Sequence, residues 1–89
     1  MRTPSFTRQF EKDLKRVKKR GKEIGKIKEV MRRLIAEEQL AERYQDHPLI
    51  GNYKDRRECH VEPDWLLIYK LAGTTITFER TGTHSDLFE

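Results

Sequence analysis

Residues 57–82 read Arg57-Glu58-Cys59-His60-Val61-Glu62-Pro63-Asp64-Trp65-Leu66-Leu67-Ile68-Tyr69-Lys70-Leu71-Ala72-Gly73-Thr74-Thr75-Ile76-Thr77-Phe78-Glu79-Arg80-Thr81-Gly82, and this stretch decides the fold. From Tyr53 onward the side chains alternate. Cys59 and Val61 fall to one side and Glu58, His60 and Glu62 to the other, the two-residue period of a half-buried strand. Pro63-Asp64 supplies a turn, with proline fixing φ at the first central position. Trp65 to Leu71 is apolar on both faces, as a central strand covered on both sides requires. Ala72-Gly73-Thr74 turns the chain again, and Thr75 to Thr81 is a β-branched strand ending at Gly82. Three successive strands joined by short turns make a meander.

Upstream the period changes. Phe6, Phe10, Leu14 and Val17 recur at helical spacing, with Ser5 or Thr7 available as the cap, until Gly21 breaks the pattern. Ile24, Ile27, Met31, Leu34 and Ile35 then line one face of a second helix, with Lys26, Lys28, Arg32 and Arg33 elsewhere on it. Two amphipathic helices joined by a short Gly-containing link form a hairpin with a basic outer surface. Arg2 to Phe6 can be a short strand, and Pro4 confines it to a sheet edge. Ala41 to Asn52 holds Pro48 and Gly51 and reads as a loop; Thr83 to Glu89 reads as a short tail. The expected architecture is α+β, an N-terminal helical hairpin packed on one face of a small antiparallel sheet. The 89 residues make a single domain, 1–89.

Charged residues are 38% of the chain and hydrophobic ones 35%, so the fold rests on thin layers with little interior to spare. The single cysteine, Cys59, excludes an intramolecular disulfide and suits a reducing compartment. The longest apolar run, Trp65 to Tyr69, is far too short to span a bilayer, and Met1 to Ser5 lacks the apolar stretch of a secretory signal. A cytoplasmic protein without membrane partners is expected. The net charge of +4 conceals a split: residues 1–35 hold 13 Lys and Arg against 4 Asp and Glu, residues 36–89 hold 6 against 11. A basic half of this density steers toward a polyanion, although Lys and Arg also serve simply as residues of exposed helix faces.

All three histidines, His47, His60 and His84, lie in the acidic half, each at a loop, beside a turn or at a strand end. Asp64 stands in the turn next to His60, and Arg80 just precedes the segment carrying His84. Strand ends are neighbours in a meander, so these residues can form one cluster. Cutting RNA without a metal requires a base for the 2′-hydroxyl, an acid for the leaving 5′-oxygen and a cation for the phosphorane charge. Histidines suit the first two roles, since an unperturbed imidazole titrates near ~6.5. Arg80 suits the third, its planar fork matching two phosphate oxygens, or it serves as a structural ion-pair partner. Trp65, Tyr69 or Phe88 can stack on a splayed base, although Trp65 suits the core better than a base platform, whereas Phe88, one residue from the end of the sequence, is harder to place in a core. A metal site is disfavoured, because Cys59 and His60 are adjacent on a strand and leave opposite faces. No HxH, HxxxH or CxxC pair is present. The residues by themselves support an RNA-binding α+β domain.

Asp46-His47-Pro48-Leu49, Gly51, Arg57 to Tyr69 and the ending Phe78-Glu79-Arg80-Thr81-Gly82-Thr83-His84-Ser85-Asp86-Leu87-Phe88 together resemble the YafQ branch of the RelE-type toxins. The helical half resembles them more loosely, through Phe10, Lys12-Asp13 and its basic pattern. The resemblance implies a RelE-like fold and the toxin of a type II toxin–antitoxin system, entering the ribosomal A site to cleave messenger RNA with a 2′,3′-cyclic phosphate product. It implies acid–base work for His47, His60, Asp64 and His84, phosphate binding by Arg80, and nucleotide contacts by Trp65 and Phe88, with no cofactor and no metal. Asp64 either tunes His60 or acts itself. The implied partners are the 70S ribosome and its mRNA, contacted through the basic helices, and an antitoxin whose acidic segment wraps the toxin. DNA is reached only through that antitoxin. Two alternatives stay open: a non-catalytic ribosome- or RNA-binding module of the same fold, and a ribosome-independent RNase.

Overall fold

The computed structural model describes residues 1–51 and 55–88. The order of elements is β1 (Thr3–Phe6), α1 (Arg8–Lys19), α2 (Ile24–Ile35), a single 3₁₀ turn (Glu42–Tyr44), β2 (His47–Pro48), β3 (Arg56–Glu62), β4 (Trp65–Ala72), β5 (Thr75–Gly82) and α3 (His84–Phe88). The strands form one five-stranded sheet in the order β1-β5-β4-β3-β2.

Thr7 starts α1. Its Oγ1 accepts the Phe10 N–H at 2.9 Å, satisfying an orphan amide of the first turn, while its hydroxyl donates to the Glu79 carbonyl of β5. The helix ends in a Schellman arrangement: the Lys22 N–H reaches the Val17 carbonyl and the Gly21 N–H that of Lys18. Gly21 takes φ +88 there, a left-handed value that glycine adopts without steric cost. Arg2 closes the far end of α2, its N–H on the Ile35 carbonyl and its guanidinium on that of Leu34. The hairpin is thereby fastened to the edge strand β1.

Both helices lie on one face of the sheet. Phe10 and Val17 of α1 and Ile27, Val30 and Leu34 of α2 pack with Cys59, Trp65, Leu67, Tyr69, Ile76 and Phe78 into one buried core. Each large side chain taken fully out of water contributes roughly 1.5–3 kcal/mol before entropy is counted. On the opposite face, Leu66 and Ile68 meet Leu87 of α3 and Leu49 in a smaller cluster. β4 is thus covered on both sides, as its sequence required.

Four features depart from the sequence reading. The sheet is mixed rather than antiparallel: β3-β4-β5 is the expected meander, but β1 runs parallel to β5, with Thr3 opposite Thr75 and Phe6 opposite Phe78. The helical hairpin brings β2 in antiparallel to β1, and the three reversals of β2-β3-β4-β5 then leave β5 running the same way as β1, so the two pair in parallel when they meet. Within the expected loop 41–52, residues 42–44 turn as 3₁₀ helix and His47–Pro48 pair with β3. Pro48 has no N–H to give, but it sits on the outermost strand, where the lost donor costs least. The expected tail folds as α3. Glu62 does not share a side with Glu58 and His60: a bulge between His60 and Glu62 turns it to the helices, where it takes Lys22 at 2.7 Å and Lys26 at 2.8 Å. Asn52, Tyr53, the start assumed for the alternation, and Glu89 fall outside the described residues.

Candidate active site

The register of the sheet places the chemistry. His47 of β2 lies opposite Glu58 of β3, Glu58 opposite Ile68 of β4, and Ile68 opposite Arg80 of β5. One row further along, His60 lies opposite Leu66 and Leu66 opposite Gly82, two residues before His84. Ile68 and Leu66 belong to the small cluster, so these rows run across the face turned away from the hairpin.

Glu58 is the junction. It is only 5% exposed, and its Oε2 stands 3.4 Å from His47 Nε2 and 3.7 Å from His60 Nε2. Its other oxygen, Oε1, is buried and has no hydrogen-bond partner among the described residues. In the sequence, Glu58 stands out only as a neighbour of His60 on the polar side of β3, with nothing to assign it a role. The signal was present in that alternation, which sets Glu58 and His60 on one face two residues apart.

The ring orientations follow from their acceptors. His47 Nδ1 is 2.6 Å from the Gln45 carbonyl and His60 Nδ1 is 3.2 Å from that of Pro63. A carbonyl oxygen only accepts, so each Nδ1 carries a proton, and a neutral ring presents Nε2 as its basic atom. A hydrogen bond from His47 Nε2 to Glu58 therefore requires the imidazolium. The segment before His47 is itself anchored, since the Tyr69 hydroxyl donates to Asp46 at 2.5 Å and Arg57 Nε lies 3.3 Å from the same oxygen. Burial first, and then that bond to Asp46, hold the Tyr69 phenol above its ordinary range.

Asp64 pairs with His84 instead of tuning His60. Its Oδ1 accepts the His84 backbone N–H at 3.0 Å and lies 3.0 Å from His84 Nδ1. These bonds, the backbone one first, lower the Asp64 carboxyl below the usual range, so it stays ionised and holds His84 with Nε2 as the basic atom. The ring centroids of His60 and His84 are 6.0 Å apart, and Phe88 follows 6.2 Å from His84. Phe88 is 44% exposed, an accessible aromatic surface at the rim of the cluster.

Two expected residues are placed differently. Trp65 is 1% exposed, with its Nε1–H donated to Thr81 Oγ1 at 2.9 Å, so it is a core residue presenting no face to a base. It pairs with Glu62 in the helix-side pattern of Leu67 and Tyr69, which explains its burial. Arg80 shares the row of His47 and Glu58, but its Nε donates to Asp13 Oδ2 of α1 at 2.7 Å. Asp13 is 1% exposed and also takes the Thr81 N–H, so a buried carboxylate fixes the arginine from behind. Cys59 is buried among apolar side chains, and this desolvation pushes its thiol far above the ordinary range and out of nucleophilic use. Among the described residues no group of three His, Cys, Asp or Glu side chains is disposed to hold a metal ion.

This set of groups, imidazoles whose basic nitrogens are oriented by carbonyls and a carboxylate, with an arginine held by Asp13 on the same row of the sheet, is suited to moving protons on a phosphodiester. Residues 2–89 match the family described as bacterial toxin of type II toxin-antitoxin system, YafQ. The mRNA interferase toxin YafQ of Escherichia coli K12 is 49% identical over 84 residues, covering 93% of this chain and 91% of that protein. The crystal structure of YafQ from E. coli BL21(DE3) superposes with a TM-score of 0.95 at 46% identity, covering all of both chains, and a chain of the E. coli DinJ–YafQ complex with 0.93 at 47%, again over both in full. The chain belongs to the YafQ family of toxins, and its fold is the RelE-like one that the resemblance implied.

Proposed function

We propose that this chain is an mRNA interferase toxin that cleaves messenger RNA in the ribosomal A site by metal-independent acid–base catalysis. The observation that carries the mechanism is the convergence of His47, His60 and His84, with Glu58 and Asp64, on the sheet face that the hairpin leaves open.

The chemistry is a transfer within the RNA. One unprotonated Nε2 takes the proton of a 2′-hydroxyl, and the oxygen attacks the adjacent phosphorus in line. A protonated imidazole gives its proton to the departing 5′-oxygen. The products are a 2′,3′-cyclic phosphate and a free 5′-hydroxyl, with the proton count unchanged. His84, held by Asp64, and the His47–Glu58–His60 group provide the two proton-handling sites. Arg80, fixed by Asp13, supplies positive charge toward the phosphorane oxygens, and Phe88 gives a surface for a nucleotide base.

Several features support the rest of the assignment. Arg8, Lys12, Lys15 and Lys19 are exposed along one stripe of α1, away from the core, where ribosomal RNA phosphates can be met without reading sequence. The related E. coli toxin is found in complex with DinJ. The excess of Lys and Arg in residues 1–35, 13 against 4 acidic residues, suits an antitoxin segment of opposite charge. A cytoplasmic location accords with a buried, reduced cysteine and with the lack, among the described residues, of any helix long and apolar enough to cross a membrane.

The test is cleavage on programmed ribosomes with 5′ ends mapped, comparing wild type, His60→Ala, His84→Ala and a ribosome-free control. Cuts that need the ribosome and vanish in both variants, each retaining its melting transition, are expected. Cleavage of free RNA at the same rate would favour a ribosome-independent RNase. Ribosome binding without cleavage by folded wild type would favour a binding module. EDTA should leave the rate unchanged; loss restored by one particular metal ion would overturn the metal-free mechanism.

A further inference from the structure

The geometry points to one face of α1, formed by Asp13, Arg16 and the C-cap residue Arg20, as the scaffold that positions both Arg80 and His84. This inference rests on the catalytic reading of His84 above. Residues 13, 16 and 20 are spaced by three and four, so they share one side of the helix. From that side two carboxylates and three guanidiniums form a chain. Asp13 holds Arg80 at 2.7 Å, Arg16 bridges Asp13 at 3.3 Å and Asp86 at 3.8 Å, and Arg20 grips Asp86 with two nitrogens at 2.6 and 3.2 Å.

Asp86 is the point at which this chain reaches the site. Thr83 and Asp86 form a capping box at the start of α3: Thr83 Oγ1 accepts the Asp86 N–H at 3.1 Å, and Asp86 Oδ2 accepts the Thr83 N–H at 2.9 Å. The same carboxylate that closes this box receives Arg20. Gly82 makes the approach possible, since a Cβ there would stand 2.8 Å from Asp86 Oδ2, and its φ of +153 is one that glycine tolerates. His84 is the first residue of α3, so fixing Thr83 and Asp86 fixes where His84 begins. Its backbone N–H and its ring then meet the single oxygen Asp64 Oδ1. A five-residue helix holds little structure of its own. Without the α1 clamp it has only Leu87 as a buried apolar anchor. Asp86 and Arg20 are therefore positioning residues for the reaction.

The experiment uses Asp86→Ala, Asp86→Asn, Arg20→Ala and Arg20→Lys in the full chain. Two quantities are read: single-turnover cleavage across ribosome concentration, and the His84 Nδ1–H resonance, assigned by its disappearance in His84→Ala. The saturating rate of Asp86→Ala and Arg20→Ala should fall on the order of tenfold, with half-saturation within about twofold, as misplacement of a reacting group predicts. The resonance should broaden or vanish in both. Arg20→Lys should recover most of the rate, and Asp86→Asn, which keeps an acceptor for the Thr83 N–H, should fall between Asp86→Ala and wild type. An Arg20→Ala protein with raised half-saturation, an unchanged saturating rate and an intact His84 resonance would make Arg20 a phosphate contact only and overturn the clamp. The two readings fail separately. If His84→Ala cleaves like wild type, the catalytic role falls; if the resonance is still lost in Asp86→Ala, the clamp stands.

Discussion

Glu58 carries a carboxylate into a place water hardly reaches, and of its two oxygens only Oε2 has histidine nitrogens near it. A buried acceptor left without a partner costs about 1–3 kcal/mol, so its retention needs a reason other than stability. Glu58→Gln should slow single-turnover cleavage by roughly 10- to 100-fold while moving the melting temperature little. A variant that cleaves normally would reduce Glu58 to a packing residue. Trp65 invites the opposite prediction. Trp65→Phe removes the bond to Thr81 and some core volume, so it should cost about 1–3 kcal/mol in urea unfolding while the saturating rate is kept. A base-stacking tryptophan would show the reverse. At this scale the grouping of His60, His84 and Asp64 was legible from residue type and from their places near strand ends and turns. Glu58 was overlooked because a glutamate on a strand's polar side looks like any solvated charge. Trp65 was given a nucleotide contact only by the family resemblance; its own residue type, in a strand apolar on both sides, pointed to the core where it lies.

Among the elements, the helices could be read almost to their ends, because caps and breakers are local chemistry. Thr7 shows this most clearly: its side chain both caps α1 and donates to β5, so Thr7→Ala should lower unfolding free energy by about 1–2 kcal/mol in chemical denaturation. The strands were legible only in part. β3, β4 and β5 announced themselves by period and turns. β2 is two residues long, too short for any period, and exists because His47 and Pro48 find β3 beside them. α3 depends likewise on contacts supplied by Arg20, Asp64, Leu66 and Ile68, and a Thr-x-x-Asp box inside a supposed tail was its one local signal. The parallel pairing of β1 lies in the topology and leaves no mark on the strand's own residues.

Across the whole molecule, the carboxylates set the response to acid. Asp86, gripped by Arg20, lies well below the ordinary range; Asp64 and Glu62 are also lowered, and Glu29, bonded to Arg32 and Arg33, is brought to about 2. A group whose pKa is lower folded than unfolded adds stability that is complete above its unfolded value and lost as pH falls through the folded one. The melting temperature should therefore hold down to the ordinary carboxylate range, ~4, and drop as pH approaches ~2. A melting temperature that is flat to pH 2 would mean these pairs contribute nothing. Salt should act on a different property, with affinity for 70S particles falling steeply as its concentration rises. A flat response would remove phosphate contacts from the role of α1.

The parallel pairing of β1 with β5 also has a consequence for the order in which the protein comes into being. The Thr7 hydroxyl finds its carbonyl at Glu79, 72 residues later, and the first strand has no partner until residues 75–78 have been made. Contacts so distant in sequence form late, since the loop between them must be closed first. During synthesis the basic hairpin, with Asp13, Arg16 and Arg20, emerges early, while His84 and Asp86, the residue those arginines hold, follow much later. A chain still being translated thus lacks a finished site, and the ribosome that makes it is not exposed to an assembled nuclease until its work on residues 84–88 is done.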